Sequence, residues 1–309
     1  MNPVLVAGPT ASGKSDVAVE LALRIGGEIV SVDSMQVYRG LDVGTAKPSP
    51  EDRRRVPHHL VDVVPLDSTF DAARFVEEAG RLVDGIRSRG AVPILCGGTG
   101  LYFNAWLNGL GSAPPPDPEL RRSLEDLPTE VLLDELARKD WETFDAIDIR
   151  NRRRLVRAIE VIRITGRPFS SQRAAWPEKA AGIAGRGFGL RRSPDDLVRR
   201  IHTRVDRMFG NGLVEETRRA LESGLGRNRV ALQAIGYRQV VEHLNGVRGC
   251  RETVELVKTK TRQFAKRQRT WFDHQMDLEW LDVPTDEVPT RTAERIAEKL
   301  GAERKSPTA

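Results

Sequence analysis

Gly8-Pro9-Thr10-Ala11-Ser12-Gly13-Lys14-Ser15 has the residue types and spacing to hold linked phosphates. Glycines let a turn bring successive amide N–H groups together as an anion nest, and a helix starting behind them adds the positive end of its dipole. In the P-loop pattern that these residues fill, the lysine reaches a terminal phosphate and the following hydroxyl, Ser15, binds Mg²⁺. Gly8, Thr10, Ala11, Ser12, Gly13, Lys14 and Ser15 are therefore the candidate binding residues for a diphosphate or a longer phosphate chain. Asp33, in Ser31-Val32-Asp33-Ser34, is the second group able to do chemistry. It reads as a general base, as a turn or helix cap, or as a carboxylate on Mg²⁺. Gly97-Gly98-Thr99-Gly100 is the third, with Thr99 offering a hydroxyl to a phosphate oxygen. Alone it could be a plain turn; beside the first turn it could hold the same diphosphate from the other side.

Such groups need strand ends to position them. Residues 3–7 form an apolar run that predicts a buried strand, and residues 16–24 carry helical spacing. A second strand is expected over 27–32, delivering Asp33 to a carboxyl end, where open parallel sheets bind ligands. Residues 35–48 have no clean period and mix glycines, hydroxyls and charges, as a functional loop does. The adjacent His58 and His59 cannot point the same way, and no third ligand has metal-binding spacing. Residues 60–64 are another apolar stretch, 70–86 an amphipathic helix, and 91–96 a strand running into the second glycine turn and a helix over 101–107.

Gly and Pro dominate residues 109–118 and place a domain boundary there. Helices follow over 120–127, 129–138, 141–147 and 153–164, then a loop or flexible tip over 166–189, with Phe188-Gly189-Leu190 returning to the sheet. Residues 196–220 are helical with a break near Gly210-Asn211-Gly212. Their Arg200, Arg204 and Arg207 form a stripe that is either a solvated face or a phosphate clamp. Ala234-Ile235-Gly236-Tyr237-Arg238-Gln239 begins another helix. Residues 254–272 form a basic helix carrying Lys258, Arg262, Lys266 and Arg269, with Gln263, Gln268, Trp271 and Phe272 interleaved. A stripe following a nucleic-acid backbone fits it better than a solvated face. A short helix over 292–300 and a basic tail complete the chain. The implied class is α/β: a P-loop NTPase-like parallel sheet core flanked by helices, with an inserted helical domain. The expected divisions are 1–112 (first part of the core), 113–189 (helical insertion), 190–284 (return to the core with the basic helix) and 285–309 (C-terminal helix and flexible tail).

At 309 residues, with 39% hydrophobic and 30% charged residues, the composition is that of a soluble protein with a large core and a smaller attached domain. No stretch reaches the roughly 20 apolar residues of a membrane helix, and no signal peptide precedes the first strand. Cys96 and Cys250 lie far apart, so free thiols in a cytoplasmic protein are expected. With a formal charge of +5, the placement of the basic residues matters more than their total. No coiled-coil or long apolar stripe calls for more than a monomer.

Six stretches, in order, carry a resemblance: the P-loop, residues 31–34, Asp42-Val43-Gly44-Thr45-Ala46-Lys47-Pro48, Gly97-Gly98-Thr99-Gly100-Leu101-Tyr102, Gly236-Tyr237-Arg238-Gln239, and residues 261–271. The chain resembles the bacterial tRNA dimethylallyltransferases, also called tRNA isopentenyltransferases. The resemblance implies Mg²⁺-dependent transfer of a dimethylallyl group from dimethylallyl diphosphate to tRNA. The acceptor would be the exocyclic amine of the adenosine 3′ to the anticodon, in tRNAs reading codons that begin with U. It implies that the P-loop, Lys14, Ser15, Thr99 and Arg204 bind the diphosphate, with Ser15 on the metal, and that Asp33 accepts the amine proton. Asp33, Ser34, Gln36, Thr45, Lys47, Arg238, Gln239, Arg262, Gln263, Lys266 and Arg267 would face the anticodon stem-loop, and the insertion would contact tRNA as well.

Rival classes use fewer of these features. An ATP-dependent small-molecule kinase leaves the basic helix and residues 44–47 without a role. A transferase that prenylates free adenine nucleotides has little use for the insertion. A non-catalytic nucleic-acid-binding module does not account for a complete P-loop together with a strand-end aspartate.

Overall fold

Val4, Leu5, Val6 and Ala7 have no exposed surface, as expected of a strand covered by helices on both faces. In the computed structural model, which describes residues 2–303 apart from 175, 178 and 180–184, they form β1 (Val4–Ala7). The chain continues through α1 (Lys14–Ile25), β2 (Gly27–Val32), α2 (Pro50–Arg55), β3 (His58–His59), α3 (Ala72–Ser88), β4 (Val92–Gly97) and α4 (Gly100–Asn108). Then come α5 (Pro118–Glu125), α6 (Thr129–Lys139), α7 (Trp141–Ala146) and α8 (Arg152–Thr165). The last part is β5 (Gly187–Arg191), α9 (Pro194–Gly210), α10 (Leu213–Glu222), α11 (Tyr237–Leu244), α12 (Cys250–Gln275), β6 (Glu279–Asp282) and α13 (Pro289–Glu303). The expected tip over 166–189 and the tail beyond 303 fall partly or wholly outside the described residues.

The strands form one parallel sheet in the order β3-β2-β4-β1-β5-β6. Successive strand residues point to opposite faces. Leu5, Ala7, Val30, Val32 and Leu95 therefore pack with Phe75, Phe103, Tyr237 and Phe272 on one side. Val4, Val6, Ile29, Ile94 and Cys96 pack with α1 and α13 on the other. Register matters most for the site. Gly97 pairs with Ala7 on one flank and Val32 on the other, and Ala7 pairs with Gly189. β1, β2 and β4 thus end level, and the residues that follow them are the P-loop, Asp33 and the second glycine turn, while β5 runs on to Arg191.

Contacts divide the chain into two compact units, Met1–Leu107 with Pro177–Ala309, and Asn108–Trp176. The second is α5 to α8 around Leu124, Leu132, Leu136, Leu155 and Ile159. Asp117, Asp140 and Asn151 cap three of its helices with their side chains. Glu160 is fully buried there, paired with Arg121 at 2.6 Å and Arg157 at 2.7 Å. Three elements of the larger unit lie outside the sequence expectations: α2, β3 and β6. Residues 60–64 are irregular, yet Leu60 and Val64 enter the core and Val64 bridges to Tyr38. His58 and His59 form the edge strand β3; His58 Nδ1 lies 2.8 Å from the Val56 carbonyl and His59 Nε2 2.7 Å from Glu28.

Candidate active site

The first turn after β1 closes on Gly13, whose φ of +90° a side chain would strain. α1 starts there, and no side chain caps it. Within α1 the Val17 N–H is the first amide taken up, by the Gly13 carbonyl at 3.1 Å, so the N–H groups of residues 13–16 are those a helix start leaves open, while Ser12 N–H already donates to the Pro9 carbonyl at 3.3 Å. Two arginines steady the turn from behind: Arg200 Nε donates to the Ala11 carbonyl at 2.9 Å and Arg192 Nε to the Ser12 carbonyl at 2.8 Å. With the Ser12 carbonyl drawn towards Arg192, the Gly13 N–H on the same peptide plane is directed the opposite way. Burial works against the charge of Asp196, yet Arg192 at 3.0 Å and Arg199 at 2.6 Å hold its carboxyl below the usual range. Gly8, with φ +152°, starts the turn; Ser12 is buried with its hydroxyl unpartnered among the described residues.

Beside the turn lies a cleft of about 870 Å³ lined by Lys14, Ser15, Arg200, Arg204 and Arg207. Lys14 Nζ donates to the Pro9 carbonyl at 3.2 Å, and Arg204 Nη2 to the Thr45 carbonyl at 3.2 Å. Burial pulls both cations below their ordinary pKa, and the negative charge of Asp33 opposes that in each case. Among the described residues, neither Lys14 nor Arg204 has an ion-pair partner within 4 Å. Cations that no carboxylate meets at ion-pair distance can receive an anionic ligand.

Asp33 is half-buried at the end of β2. Its Oδ1 accepts the N–H groups of Met35 at 2.8 Å and Gln36 at 3.2 Å, while Oδ2 has no hydrogen bond among the described residues. The capping role is therefore real and leaves one oxygen over. Thr99 Oγ1 accepts the Ser34 N–H at 3.2 Å, which ties the second glycine turn to β2. The structure thus brings together residues 8–15, Asp33, Ser34, Thr99 and Arg204.

The residues expected to face tRNA divide. Gln263, Lys266 and Arg267 are exposed on α12, and Arg238 is exposed on α11 beside Glu242. Arg262 is half-buried and turned to His202 Nε2 at 2.6 Å and Thr259 at 3.1 Å. Three others point inward, contrary to a solvent-facing reading. The Thr45 hydroxyl donates to the Leu41 carbonyl at 2.5 Å. Lys47 is held by the Tyr38 carbonyl, Asp42 and Asp62. Gln239 is buried and accepts the Gly236 N–H at 2.9 Å. Gln36 holds the same loop, donating to the Thr45 and Ala46 carbonyls at 3.3 Å. Sequence reasoning missed Glu216, Tyr237 and Arg192 as supports of the site. Their partners lie far along the chain, and no local spacing marks them.

Among the described residues no three His, Cys, Asp or Glu side chains cluster as a metal site, and no helix is long and apolar enough to cross a membrane. Comparison with known proteins gives one consistent answer. The model of the family described as IPP transferase matches residues 36–275. A tRNA dimethylallyltransferase of Citrifermentans bemidjiense is 46% identical over 91% of this chain and 92% of its own length. The full-length tRNA isopentenylpyrophosphate transferase of Bacillus halodurans superposes with a TM-score of 0.70 at 36% identity, covering 98% of each chain. A eukaryotic dimethylallyltransferase acting on tRNA superposes with a TM-score of 0.78 at 25% identity, covering 99% of this chain and 80% of the other. The chain belongs to the IPP transferase family.

Proposed function

We propose that the protein transfers a dimethylallyl group from dimethylallyl diphosphate to the exocyclic amine of the adenosine immediately 3′ of the anticodon, in tRNAs reading codons that begin with U, and releases diphosphate. The observation that carries this reading is the level ending of β1, β2 and β4, which sets an uncapped helix start, Lys14 and Arg204 beside a carboxylate with one oxygen to spare.

An allylic diphosphate ionises when the charge growing on its leaving oxygens is met by fixed donors. Here those would be the amides of residues 13–16, Lys14, Arg204 and the Thr99 hydroxyl. Since the turn is already steadied by Arg192 and Arg200, little reorganisation accompanies the reaction. The adenine amine is a very weak base and becomes acidic only as its bond to carbon forms. Asp33 Oδ2 can then take the proton late, while Oδ1 keeps the carboxylate oriented. A metal ion fits the donor set: the Ser15 hydroxyl, with no cluster of acids among the described residues, would suit Mg²⁺, an ion that usually keeps several waters and pairs with substrate phosphates. When bound it would neutralise charge on the leaving diphosphate.

On the RNA side, Gln263, Lys266 and Arg267 on α12 and Arg238 on α11 present exposed polar and cationic groups, and the helical insertion exposes Arg153 and Arg154. The target adenosine would leave its stack to enter the site. A monomer in the cytoplasm is the simplest setting for such a reaction. The experiment supplies radiolabelled dimethylallyl diphosphate and Mg²⁺ with total tRNA, and separately with AMP and ADP. Label in tRNA alone, placed beside the anticodon by nuclease digestion, is the expected result. Label in the free nucleotides would overturn it.

A further inference from the structure

Two of the turns that follow level strand ends are fastened by one side chain from a distant helix. Gln268, on α12, is 8% exposed. Its Oε1 accepts the Thr10 N–H of the P-loop at 2.8 Å, and its Nε2 donates to the Gly98 carbonyl at 2.9 Å. An uncharged carboxamide carries an acceptor and donors in one plane. It can therefore satisfy an N–H on one turn and a C=O on the other at once. A carboxylate could serve only Thr10, and a lysine or arginine only Gly98. The fit is close, since a Cβ on Gly98 would lie 2.3 Å from Nε2. Three residues further on, Trp271 lies against Gly100, where a Cβ would come within 2.1 Å of the indole. The helix thus bears on the second glycine turn at two successive points. The same helix exposes Lys266 and Arg267, the latter one turn before Trp271, and neither has an ion-pair partner within 4 Å among the described residues.

We propose that Gln268 is a positioning residue for the transfer reaction: it sets the separation between the P-loop and the second glycine turn, and couples both to the helix that carries the RNA-facing cations. This rests on the reading that the two turns hold one diphosphate between them. Gln268 touches neither substrate in that reading and acts through Thr10 and Gly98. Losing the bridge would loosen the spacing of two half-sites while leaving each able to bind. Contacts that tighten only as the allyl–oxygen bond breaks should suffer most, which appears in kcat rather than in KM.

The test uses the full chain with Gln268→Met, which keeps length and removes both bonds, and Gln268→Glu, which keeps only the acceptor. Both are assayed well below their melting temperatures. Expected are a fall in kcat of about 30-fold or more for each, KM for dimethylallyl diphosphate within about threefold, and tRNA affinity of the Met variant within about twofold. Hydrogen exchange should show the Thr10 amide and the turn at residues 97–100 losing at least about tenfold protection, with α13 unchanged. Wild-type kcat in the folded Met variant, or a wild-type rate with Glu, would reduce Gln268 to ordinary packing and overturn the proposal. Should the wild-type protein transfer nothing to tRNA, the activity reading fails instead. Exchange then decides the bridge, and unchanged protection in the Met variant overturns it.

Discussion

Glu216 carries a heavy share of the loop over residues 42–47. Its carboxylate accepts N–H groups from Asp42 at 3.1 Å, from Val43 at 2.9 and 3.0 Å and from Gly44 at 3.2 Å, together with the Tyr237 hydroxyl at 2.5 Å. The same hydroxyl accepts the Gly44 N–H at 3.1 Å. Burial, and after it the neighbouring Glu216, pushes the Tyr237 phenol far above its usual range, so it remains a donor at any working pH. Glu216→Gln keeps the volume but turns one oxygen into an amide that faces these donors. A hydrogen bond to a charged acceptor contributes about 1.5–3 kcal/mol, against about 1 for a neutral one. Losing the charge at every contact and reversing one of them should cost about 2–4 kcal/mol. Hydrogen exchange is the assay. The amides of residues 42–44 should lose about 30- to 1,000-fold protection, since each factor of ten is about 1.4 kcal/mol. Tyr237→Phe should give a smaller loss at the same amides, and the double variant less than the sum. Thr45, whose carbonyl accepts from both Gln36 and Arg204, links the loop to the cleft, so transfer should slow with it. Protection at 42–44 unchanged in a folded Glu216→Gln protein would refute this account.

Asp33→Asn keeps the Oδ1 cap on Met35 and Gln36 but accepts no proton, so kcat should fall about 10²–10⁴-fold. Donor affinity, read by calorimetry, should stay within a few-fold; a loss of binding equal to the loss of rate would remove the base role. Charge reversal at Lys266 and Arg267 should weaken tRNA binding and flatten its salt dependence by about two contacts, and an unchanged slope in a salt titration would return α12 to a solvated face. Cys96 is buried beneath the P-loop, and burial pushes its thiol up to about 12. At pH 8 roughly one Cys96 in ten thousand is a thiolate. Iodoacetamide should therefore label exposed Cys250 alone, and mass spectrometry finding both thiols modified at similar rates would contradict the burial.

Much of the architecture was legible because it is written in local periodicity. The apolar run before the P-loop, the amphipathic stretch that became α3, and the break at residues 210–212 between α9 and α10 each depend on neighbours two to four residues apart. β6 was not legible. Its Glu-Trp-Leu-Asp has one buried residue in four and takes its pairing from β5, so nothing inside it alternates. The P-loop likewise announced itself as one contiguous turn, whereas the side chains that hold it come from Arg192, Arg200 and Gln268.

From the sequence alone came the identities of the reactive groups and the order of strands and helices along the chain. Only the tertiary structure decided that Asp33 serves as a cap and keeps an oxygen free. It also decided that Thr45, Lys47 and Gln239 turn inward, and that Gly44 must lack a side chain because Tyr237 lies where a Cβ would go. The physical reason is separation. Gln268 meets Thr10 across 258 residues, and a buried polar group finds its partner only once the sheet has set which strand ends are neighbours.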